Sequence, residues 1–532
     1  MSVRTGSFGM LRRTAVLGAV LAAGAIAPAA EGAGSDDRYR GELPLGRPGL
    51  TESRSSREVG PGVTYTRIVR GKTSRRAAYT VDVGFRGERR DARALANRLR
   101  ADGYRPKVLR IAERAADDPA RGPLGFLVRV GSFASEGEAK ALQARLAAPP
   151  NGYSGTRTVY TPEDGARTTG PWVVNVLEVR PGQLAGRLDA RLATDVVPER
   201  ELLTGIAART DALATLNGGY FVIGSADGTP GDLAGISVLN GGLVSEAVNG
   251  RTSLLVPGPS GAGTRVAALS TRLKVRSSDG GRREVDGLNR KPGLIRSCGG
   301  VGGDLPTERP KHDFTCTDAS ELIRFTPAFG AASEPGAGAE VVLDRRGRVL
   351  ALRSERGGPI PPKSGSLLSG TGGGAEWLRA HARPGARLEI RGGIRAGGRS
   401  LAPARALDVV NGGPRLLRAG RLDIPAVAEG FHRPEDPEFF YRFGVRRNPR
   451  TLAGTGWNGR LILVAVEGRQ PGRSVGASFE ESARIMRALG AHNAVNLDGG
   501  GSTGMTLGSG LVTRPSDATG ERPIGDALVI GR

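Results

Sequence analysis

The hydrophobic positions divide the chain into two stretches of different character. Between residues 72 and 166, short alternating apolar runs lead into segments whose apolar residues recur at helical spacing. From residue 167 onward, many short apolar runs are separated by Gly, Pro, Asn and Asp. We therefore predict an α+β (mixed α/β) protein. It has a large mixed-sheet domain with Gly-rich turns at strand ends and a small βαβ-repeat domain.

An internal repeat defines the small domain. Seven residues recur 47 positions later without a gap, and each copy runs from an alternating strand into a helix. The repeated positions are Val81, Val83, Gly84, Ala94, Leu95, Arg98 and Leu99, which return as Val128, Val130, Gly131, Ala141, Leu142, Arg145 and Leu146. With a further strand near 107–111, the two copies predict a small sheet covered by two helices.

Two strand-like segments flank the repeat. GVTYTRIVRG (62–71) precedes it, and WVVNVLEV (172–179) follows it and continues the same sheet in our interpretation. The repeat domain, 72–166, is then an insertion between the first two strands of the large domain. We assign 56–71 and 167–532 to the large domain and the polar segment 31–55 to a linker.

The first thirty residues have the order of a secretory signal. Arg4, Arg12 and Arg13 precede an apolar run over 14–26, and a small-residue segment ends the pattern at 27–30. The run is short for a membrane span, so cleavage and a secreted, extracellular product are favoured over an uncleaved anchor. The twin arginines leave the export route open.

The two cysteines agree with export. Cys298 and Cys316 share one Gly- and Pro-rich segment, where a disulfide would restrict the unfolded chain. A metal site is the less favoured alternative, because two thiols and His312 lack a fourth ligand. We treat His312 and His432 as structural residues.

Three places share one arrangement: a short apolar run, then Asn or Asp, then two glycines. They are LATLNGGYF (213–221), LDVVNGGP (407–414) and AVNLDGGGST (494–503). Paired glycines let a ligand approach the main chain, and successive amides in such turns can form a nest for phosphate. Three ordinary glycine turns are the alternative. We predict instead that Asn217, Asn411 and Asp498 converge on one pocket along a single sheet edge.

The third turn completes a predicted β-α-β unit. RLILVAVEG (460–468) is a strand, Ser478 and Glu481 form a capping box for a helix over 479–489, and AVNLD (494–498) is the next strand. Parallel strands bring Glu467 and Asp498 to the same edge of the sheet. The backbones of the two strands lie about 4.8 Å apart if the strands are adjacent and about 10 Å apart if one strand lies between them. Two carboxylates suit glycoside hydrolysis. The alternative is that Glu467 pairs with Arg469 and caps a turn.

The net charge of +23 favours anionic partners such as phosphorylated sugars or wall polymers. Nucleic acid is disfavoured, because the arginines are scattered and no nucleic-acid motif accompanies them.

The repeat, including VRVGSF (128–133), resembles the SPOR domain, a bacterial module that binds peptidoglycan strands stripped of their peptides. The resemblance covers about 75–161, and its first copy, with Phe85-Arg86-Gly87, matches less well than its second. It implies a partner in peptidoglycan glycan strands and a position on the cell wall. A structural insert without a ligand is the alternative.

LNGGYF, NGGP, NPRT (448–451), VEGRQPG (466–472) and NLDGGGST (496–503) closely resemble the bacterial phosphodiester glycosidase family. That family shares its catalytic domain with the mannose-6-phosphate uncovering enzyme. The match covers about 55–71 and 168–532. It implies an exported hydrolase of sugar-1-phosphodiesters, with Asp498 and Glu467 as catalytic candidates. The substrate-binding candidates are Asn217, Gly218, Asn411, Gly412, Arg450, Thr451, Arg469, Gly499, Gly500, Ser502, Thr503 and Arg522.

This sequence departs from the family at two places. Relatives commonly have Asp where this chain has Glu467 and a second Thr where it has Gly504. The expected chemistry places phosphate on Arg450, Arg469 and the turn amides, and sugar groups on Asn217 and Asn411. Asp498 is the leading choice for direct participation.

Two alternatives remain for the site. No organic cofactor is expected, although Asp498, Asn496 and the following hydroxyls are oxygen donors that Ca²⁺ accepts. A non-catalytic, Arg-rich protein that binds an anionic wall polymer is the alternative to an enzyme, and a hydrolase of wall polymer is a third interpretation.

Overall fold

A computed structural model describes residues 41–149, 151–165, 168–248, 250–298, 305–306, 315–433 and 435–532. The predicted signal, residues 31–40 of the predicted linker and His312 lie outside these residues. Within them, no helix is long and apolar enough to cross a bilayer.

The elements before and within the inserted domain begin with two strands of the large domain. These are β1 (Glu52–Gly60) and β2 (Val63–Arg70). The inserted domain contains β3 (Tyr79–Arg86), α1 (Arg89–Ala101), β4 (Pro106–Ile111), β5 (Gly125–Phe133), α2 (Glu136–Ala147) and β6 (Arg157–Tyr160).

The large domain continues with the following elements. They are β7 (Trp172–Val179), β8 (Leu188–Leu192), α3 (Leu203–Arg209), β9 (Ala212–Asn217), β10 (Ser237–Leu239), β11 (Gly242–Ser245), β12 (Thr252–Val256), β13 (Arg265–Ser277), β14 (Arg282–Val285), β15 (Gly287–Leu288), β16 (Ile295–Arg296), β17 (Leu305–Pro306), β18 (Thr315–Thr317), β19 (Leu322–Phe325), β20 (Gly336–Leu343), β21 (Val349–Arg356), β22 (Ser366–Gly370), α4 (Gly372–His381), β23 (Leu388–Ala396), β24 (Arg399–Leu401), β25 (Asp408–Asn411), β26 (Arg415–Arg418), β27 (Arg421–Leu422), α5 (Pro437–Phe440), β28 (Arg450–Gly456), β29 (Leu461–Val466), α6 (Phe479–Ala488), β30 (Ala491–Asn496), β31 (Met505–Leu507), β32 (Gly510–Leu511) and β33 (Asp526–Gly531).

An eight-stranded sheet in the order β1-β2-β7-β29-β28-β30-β26-β27 forms the centre of the large domain. Neighbouring strands in this sheet are antiparallel, and apolar side chains cover both of its faces. A second sheet contains β25, and a five-stranded sheet contains β9. The α+β class with several sheets is confirmed.

The predicted pairing of β2 with β7 is present, so the small domain is inserted between neighbouring strands of the central sheet. The segment before them differs from the predicted linker. Leu43, Leu45 and Leu50 are buried in the core, and β1 begins at Glu52. The larger domain therefore extends further towards the N-terminus than its apolar pattern indicated, because single leucines in a polar segment have no periodicity.

The β-α-β unit forms with one strand inserted. Both β29 and β30 pair antiparallel with β28, which lies between them, so they run in the same direction. Helix α6 begins after Ser478, which makes the predicted capping box with Glu481, and Gly490 follows the helix with a φ of 83°. Cys298 and Cys316 form the predicted disulfide.

The inserted domain has a four-stranded sheet, β4-β5-β3-β6, with α1 and α2 packed on one face. Its other face is buried against the large domain. Arg129 on this face lies 2.6 Å from Asp82 and pairs with Asp164, which in turn pairs with Arg446 at 2.8 Å. Phe85 stacks on Tyr441 at 5.3 Å between ring centroids. The contact between the two domains is therefore built of buried charges and packed rings.

Candidate functional site

The three glycine turns meet at one place. Asn217 ends β9, Asn411 ends β25 and Asp498 follows β30, and these strands belong to three different sheets. The Asn217 side-chain amide donates to the Asp498 carbonyl at 2.8 Å, and the Tyr220 backbone amide donates to Asn411 Oδ1 at 2.8 Å. The turns converge as expected, but the expectation of a single sheet edge is wrong, since the site lies where three sheets meet.

The first two turns need glycine because neighbouring segments of the site pass close to their main chain. A Cβ at Gly219 would lie 2.4 Å from Asn411 Cγ, and one at Gly412 would lie 2.7 Å from the Asn496 carbonyl oxygen. The amides of Gly218 and Gly219 donate to the Asp526 carbonyl and to Asp526 Oδ1 at 2.9 and 2.8 Å. The predicted phosphate nest is therefore absent from the first turn, because these amides already bond the protein.

The side chains of Asn217 and Asn411 hold the turns in place. Each residue is 1% exposed. Asn217 Oδ1 accepts hydrogen bonds from the Thr451 hydroxyl at 2.6 Å and from the Gly504 amide at 3.0 Å. The expectation that the two asparagines contact sugar groups is corrected: the structure gives them, together with Thr451, a positioning role.

Asp498 is arranged differently. The residue is half-buried, and its carboxylate accepts the Gly499 amide at 2.9 Å. Burial raises the pKa of the Asp498 carboxyl to about 6, while the Ser502 hydroxyl and the charge of Arg522 act in the opposite direction. A carboxyl with this pKa changes its protonation state close to neutral pH.

Three buried oxygens beside Asp498 have no hydrogen-bond partner in the described part of the chain. They are Asn496 Oδ1, Ser502 Oγ and Thr503 Oγ1. An unpaired buried polar group costs about 1–3 kcal/mol, so three of them within one turn indicate a place for a polar ligand. The Ser502 hydroxyl is nevertheless close enough to the Asp498 carboxylate to lower its pKa.

Two predicted arginines border the Asp498 turn. Arg469 is exposed, donates to Asn448 Oδ1 at 2.8 Å, and would lie 3.4 Å from a Cβ at Gly500. Arg522 lies against Gly501 and donates to Asp517 Oδ2 at 2.8 Å. Because Gly499, Gly500 and Gly501 lack side chains, both guanidinium groups reach the turn. Both can bind an anionic group presented to Asp498.

The Arg450 backbone lies beside Gly499, but its side chain has partners outside the Asp498 turn. The residue is 1% exposed, its Nε donates to the Ala477 carbonyl at 2.9 Å, and another nitrogen donates to the Phe443 carbonyl. Its guanidinium lies over the Phe479 ring at 4.4 Å, and burial lowers the pKa of Arg450 to about 10. The assignment of Arg450 as a phosphate ligand is therefore corrected to a buried structural role.

Glu467 also has other partners than expected. Its carboxylate accepts from Arg473 at 2.6 Å and from Asn175 at 3.4 Å, and the residue is 1% exposed. The alternative of a structural ion pair is present, although the partner is Arg473 and not Arg469. Glu467 and Asp498 share no hydrogen-bonding partner, so the pairing of these carboxylates as a catalytic pair has no support in their contacts.

Three residues around the site were not predicted from the sequence. The Tyr220 hydroxyl accepts from Asn496 at 2.7 Å and donates to the Gly413 carbonyl at 2.8 Å. Asp526 lies beneath the first turn, where burial raises its pKa to about 7, and Arg296 acts electrostatically on Asp498. Tyr220 directly follows the first glycine pair and Asp526 follows GERPIG, so both could have been found in the motifs. No sequence motif indicates Arg296 as a residue of the site.

The oxygens beside Asp498 can accept hydrogen bonds from sugar hydroxyls, whereas the site offers a cation one carboxylate. Asp498 is the single carboxylate among the donors with Asn496, Ser502 and Thr503, and the positive charges of Arg522 and Arg296 act on it. Ca²⁺ prefers several carboxylates. No group of three His, Cys, Asp or Glu side chains suited to a metal occurs in the described ranges.

The fold and site define a class: an α+β protein whose glycine turns enclose one titrating carboxyl, joined to a two-layer βαβ module. Comparison with known proteins gives the family. The phosphodiester glycosidase model matches 337–531 and the SPOR domain model matches 76–157. The chain therefore contains a region of the phosphodiester glycosidase family and a SPOR domain.

The relatives include solved structures and curated enzymes. A crystal structure from Burkholderia pseudomallei K96243, named as a candidate exported protein, is 35% identical with a TM-score of 0.83, over 93% of this chain and 99% of that one. A hypothetical protein from Synechocystis is 20% identical with a TM-score of 0.52, over 90% of this chain and 79% of that one, which shows the fold alone.

N-acetylglucosamine-1-phosphodiester alpha-N-acetylglucosaminidase from Bos taurus is 33% identical over 103 residues, which are 19% of this chain and 19% of that enzyme. The Mus musculus enzyme matches equally, over 20% of its length. The chain thus matches about a fifth of the length of these curated enzymes.

Proposed function

We propose that this protein is an exported hydrolase that cleaves a sugar-1-phosphodiester at the cell wall, where its SPOR domain binds glycan strands of peptidoglycan. The observation that carries the proposal is the half-buried Asp498 carboxyl, with three unpartnered oxygens beside it and two arginines at its border. The cattle and mouse enzymes that the chain resembles suggest the substrate class, an N-acetylglucosamine-1-phosphodiester.

The geometry suits cleavage of the bond between the anomeric carbon and the phosphate oxygen. The ionised Asp498 stabilises the positive charge that develops on the sugar as this bond breaks. Arg469 and Arg522 bind the departing phosphate monoester. Water supplies the oxygen of the new anomeric hydroxyl, and the phosphate leaves with the second ester group intact.

The test is the release of N-acetylglucosamine from methyl N-acetyl-α-glucosaminyl phosphate by the purified protein. We expect Asp498→Asn to lower kcat/KM by at least about 10³-fold, which corresponds to about 4 kcal/mol of transition-state stabilisation. The control Asp195→Asn makes the same chemical change at an exposed residue outside the site and leaves kcat/KM unchanged.

The pH dependence provides a second measurement. Because the carboxylate is the participating form and the pKa of Asp498 is about 6, kcat/KM of the parent protein rises with pH through about 6. No sugar release by the parent protein would favour the alternative of a binding protein, and full activity of Asp498→Asn would exclude the proposed role of this residue.

A further inference from the structure

A cleft with a volume of about 690 Å³ lies between the SPOR domain and the catalytic domain. This volume is within the range of roughly 300–1,000 Å³ that is usual for ligand pockets. The SPOR domain contributes Lys140 on α2 and Arg157 on β6, and the catalytic domain contributes Arg442 and Arg469. Side chains of both domains therefore form the walls.

The charge of the cleft favours an anion. Five cationic and two acidic side chains line it, a surplus of three positive charges: Lys140 pairs with Glu136 and Arg446 with Glu163, each at 2.8 Å. The cationic residues are Lys140, Arg157, Arg442, Arg446 and Arg469, and the acidic residues are Glu136 and Glu163. Burial, and next the charge of Arg442, lower the pKa of Arg157, which shows that these cations repel one another. A bound polyanion would relieve that repulsion.

Aromatic rings give the cleft surfaces for sugar rings. Tyr79 and Tyr160 lie 5.1 Å apart between ring centroids on the SPOR side, and Phe439 and Phe443 lie 5.5 Å apart on the catalytic side. The apolar faces of sugars pack on aromatic rings, while hydroxyls and phosphates bond polar groups around them. Arginines among aromatic rings suit a glycan that carries phosphate.

Arg469 connects the cleft with the Asp498 turn. Arg469 and its partner Asn448 both line the cleft, and Arg469 also borders Gly500 in the Asp498 turn. The face of the SPOR sheet opposite α1 and α2 does not offer a comparable surface, because Asp82 and Arg129 on it are buried against the catalytic domain.

We propose that this cleft is a subsite for a phosphate-bearing glycan chain, which it holds beside the bond to be cleaved. The inference rests on the proposed function and makes its substrate a polymer and not a small ester. A chain seated between the two domains places one phosphodiester at Asp498 and the next repeating units against the arginines and rings of the cleft.

The experiment compares the variant Lys140→Glu with Arg145→Glu in the full chain. Both residues are exposed on α2 and both changes reverse one positive charge, but only Lys140 lines the cleft. The probes are a hexamer of N-acetylglucosamine linked by 1,6-phosphodiesters, an uncharged N-acetylglucosamine hexamer, and the methyl phosphodiester. Binding is measured by calorimetry with Asp498→Asn, and hydrolysis by kcat/KM.

We expect the phosphate-bearing hexamer to bind at least tenfold more tightly than the uncharged hexamer. Lys140→Glu weakens that binding at least fivefold, and lowers kcat/KM for this hexamer more than for the methyl ester. Arg145→Glu leaves all three values unchanged. Equal binding of the two hexamers, or equal effects of the two variants, overturns the subsite. Failure to hydrolyse any probe, with binding still dependent on Lys140, overturns only the proposed enzymatic function.

Discussion

Asn217 and Asp498 occupy the same position in the same glycine motif, yet their surroundings differ. The Asn217 side chain is buried and bonds Thr451, Gly504 and the Asp498 carbonyl. Asp498 is half-buried beside oxygens without partners. We infer that the copies with satisfied hydrogen bonds form the framework of the site. The proposed chemistry belongs to the copy with unused hydrogen-bonding capacity.

The largest effect on stability is expected from Asn217→Ala. The change leaves the Thr451 hydroxyl, the Gly504 amide and the Asp498 carbonyl without their partner, and each unpaired buried group costs about 1–3 kcal/mol. We expect the free energy of unfolding to fall by about 3 kcal/mol, measured by urea unfolding monitored by circular dichroism.

The matched change at the other turn is Asp498→Asn. The asparagine can still accept the Gly499 amide, so we expect the free energy of unfolding to change by less than about 1 kcal/mol while activity is lost. If Asn217→Ala left stability intact and removed activity alone, the division between framework and chemistry would be wrong.

Much of the site could be predicted from the sequence because its residues lie in local motifs. The glycine pairs, the capping box of α6 and the strand ends depend on neighbouring residues, and local patterns indicate them. The internal repeat likewise indicated a sheet with two helices. These features need no knowledge of distant contacts.

The remaining errors concern contacts that no local pattern specifies. Glu467 and Arg450 follow the family motifs, but the turn after β29 brings Arg473 to Glu467, and helix packing brings Phe479 to Arg450. The three turns could not be assigned to three sheets, because strand pairing between distant segments leaves no local signal. Burial of the second SPOR face is likewise a property of the assembled domains.

A further prediction concerns Asp526, which lies beneath the first turn. Burial raises the pKa of its carboxyl to about 7, so this group contributes most to stability below about pH 4, and the contribution is lost as pH rises through 7. Asp526→Asn keeps an acceptor for the Gly219 amide and removes the charge. We expect it to stabilise the protein by about 2 kcal/mol more at pH 8 than at pH 5.

Urea unfolding at the two pH values measures this difference. Asp211→Asn, at an exposed residue of the same type, serves as the control and shows no difference between the two pH values. A constant effect of Asp526→Asn from pH 5 to pH 8 would mean that the Asp526 carboxyl does not titrate in this range in the folded protein.

The smallest effect is expected at Glu467. Its carboxylate bonds Arg473 and Asn175 and shares no partner with Asp498, so Glu467→Gln removes an ion pair and leaves the reacting groups in place. We expect kcat/KM for the methyl phosphodiester to fall by less than tenfold, or less than about 1.4 kcal/mol. A loss of more than a hundredfold with unchanged stability would restore the two-carboxylate mechanism. It would also show that the strand direction shared by β29 and β30 brings both carboxylates to the substrate.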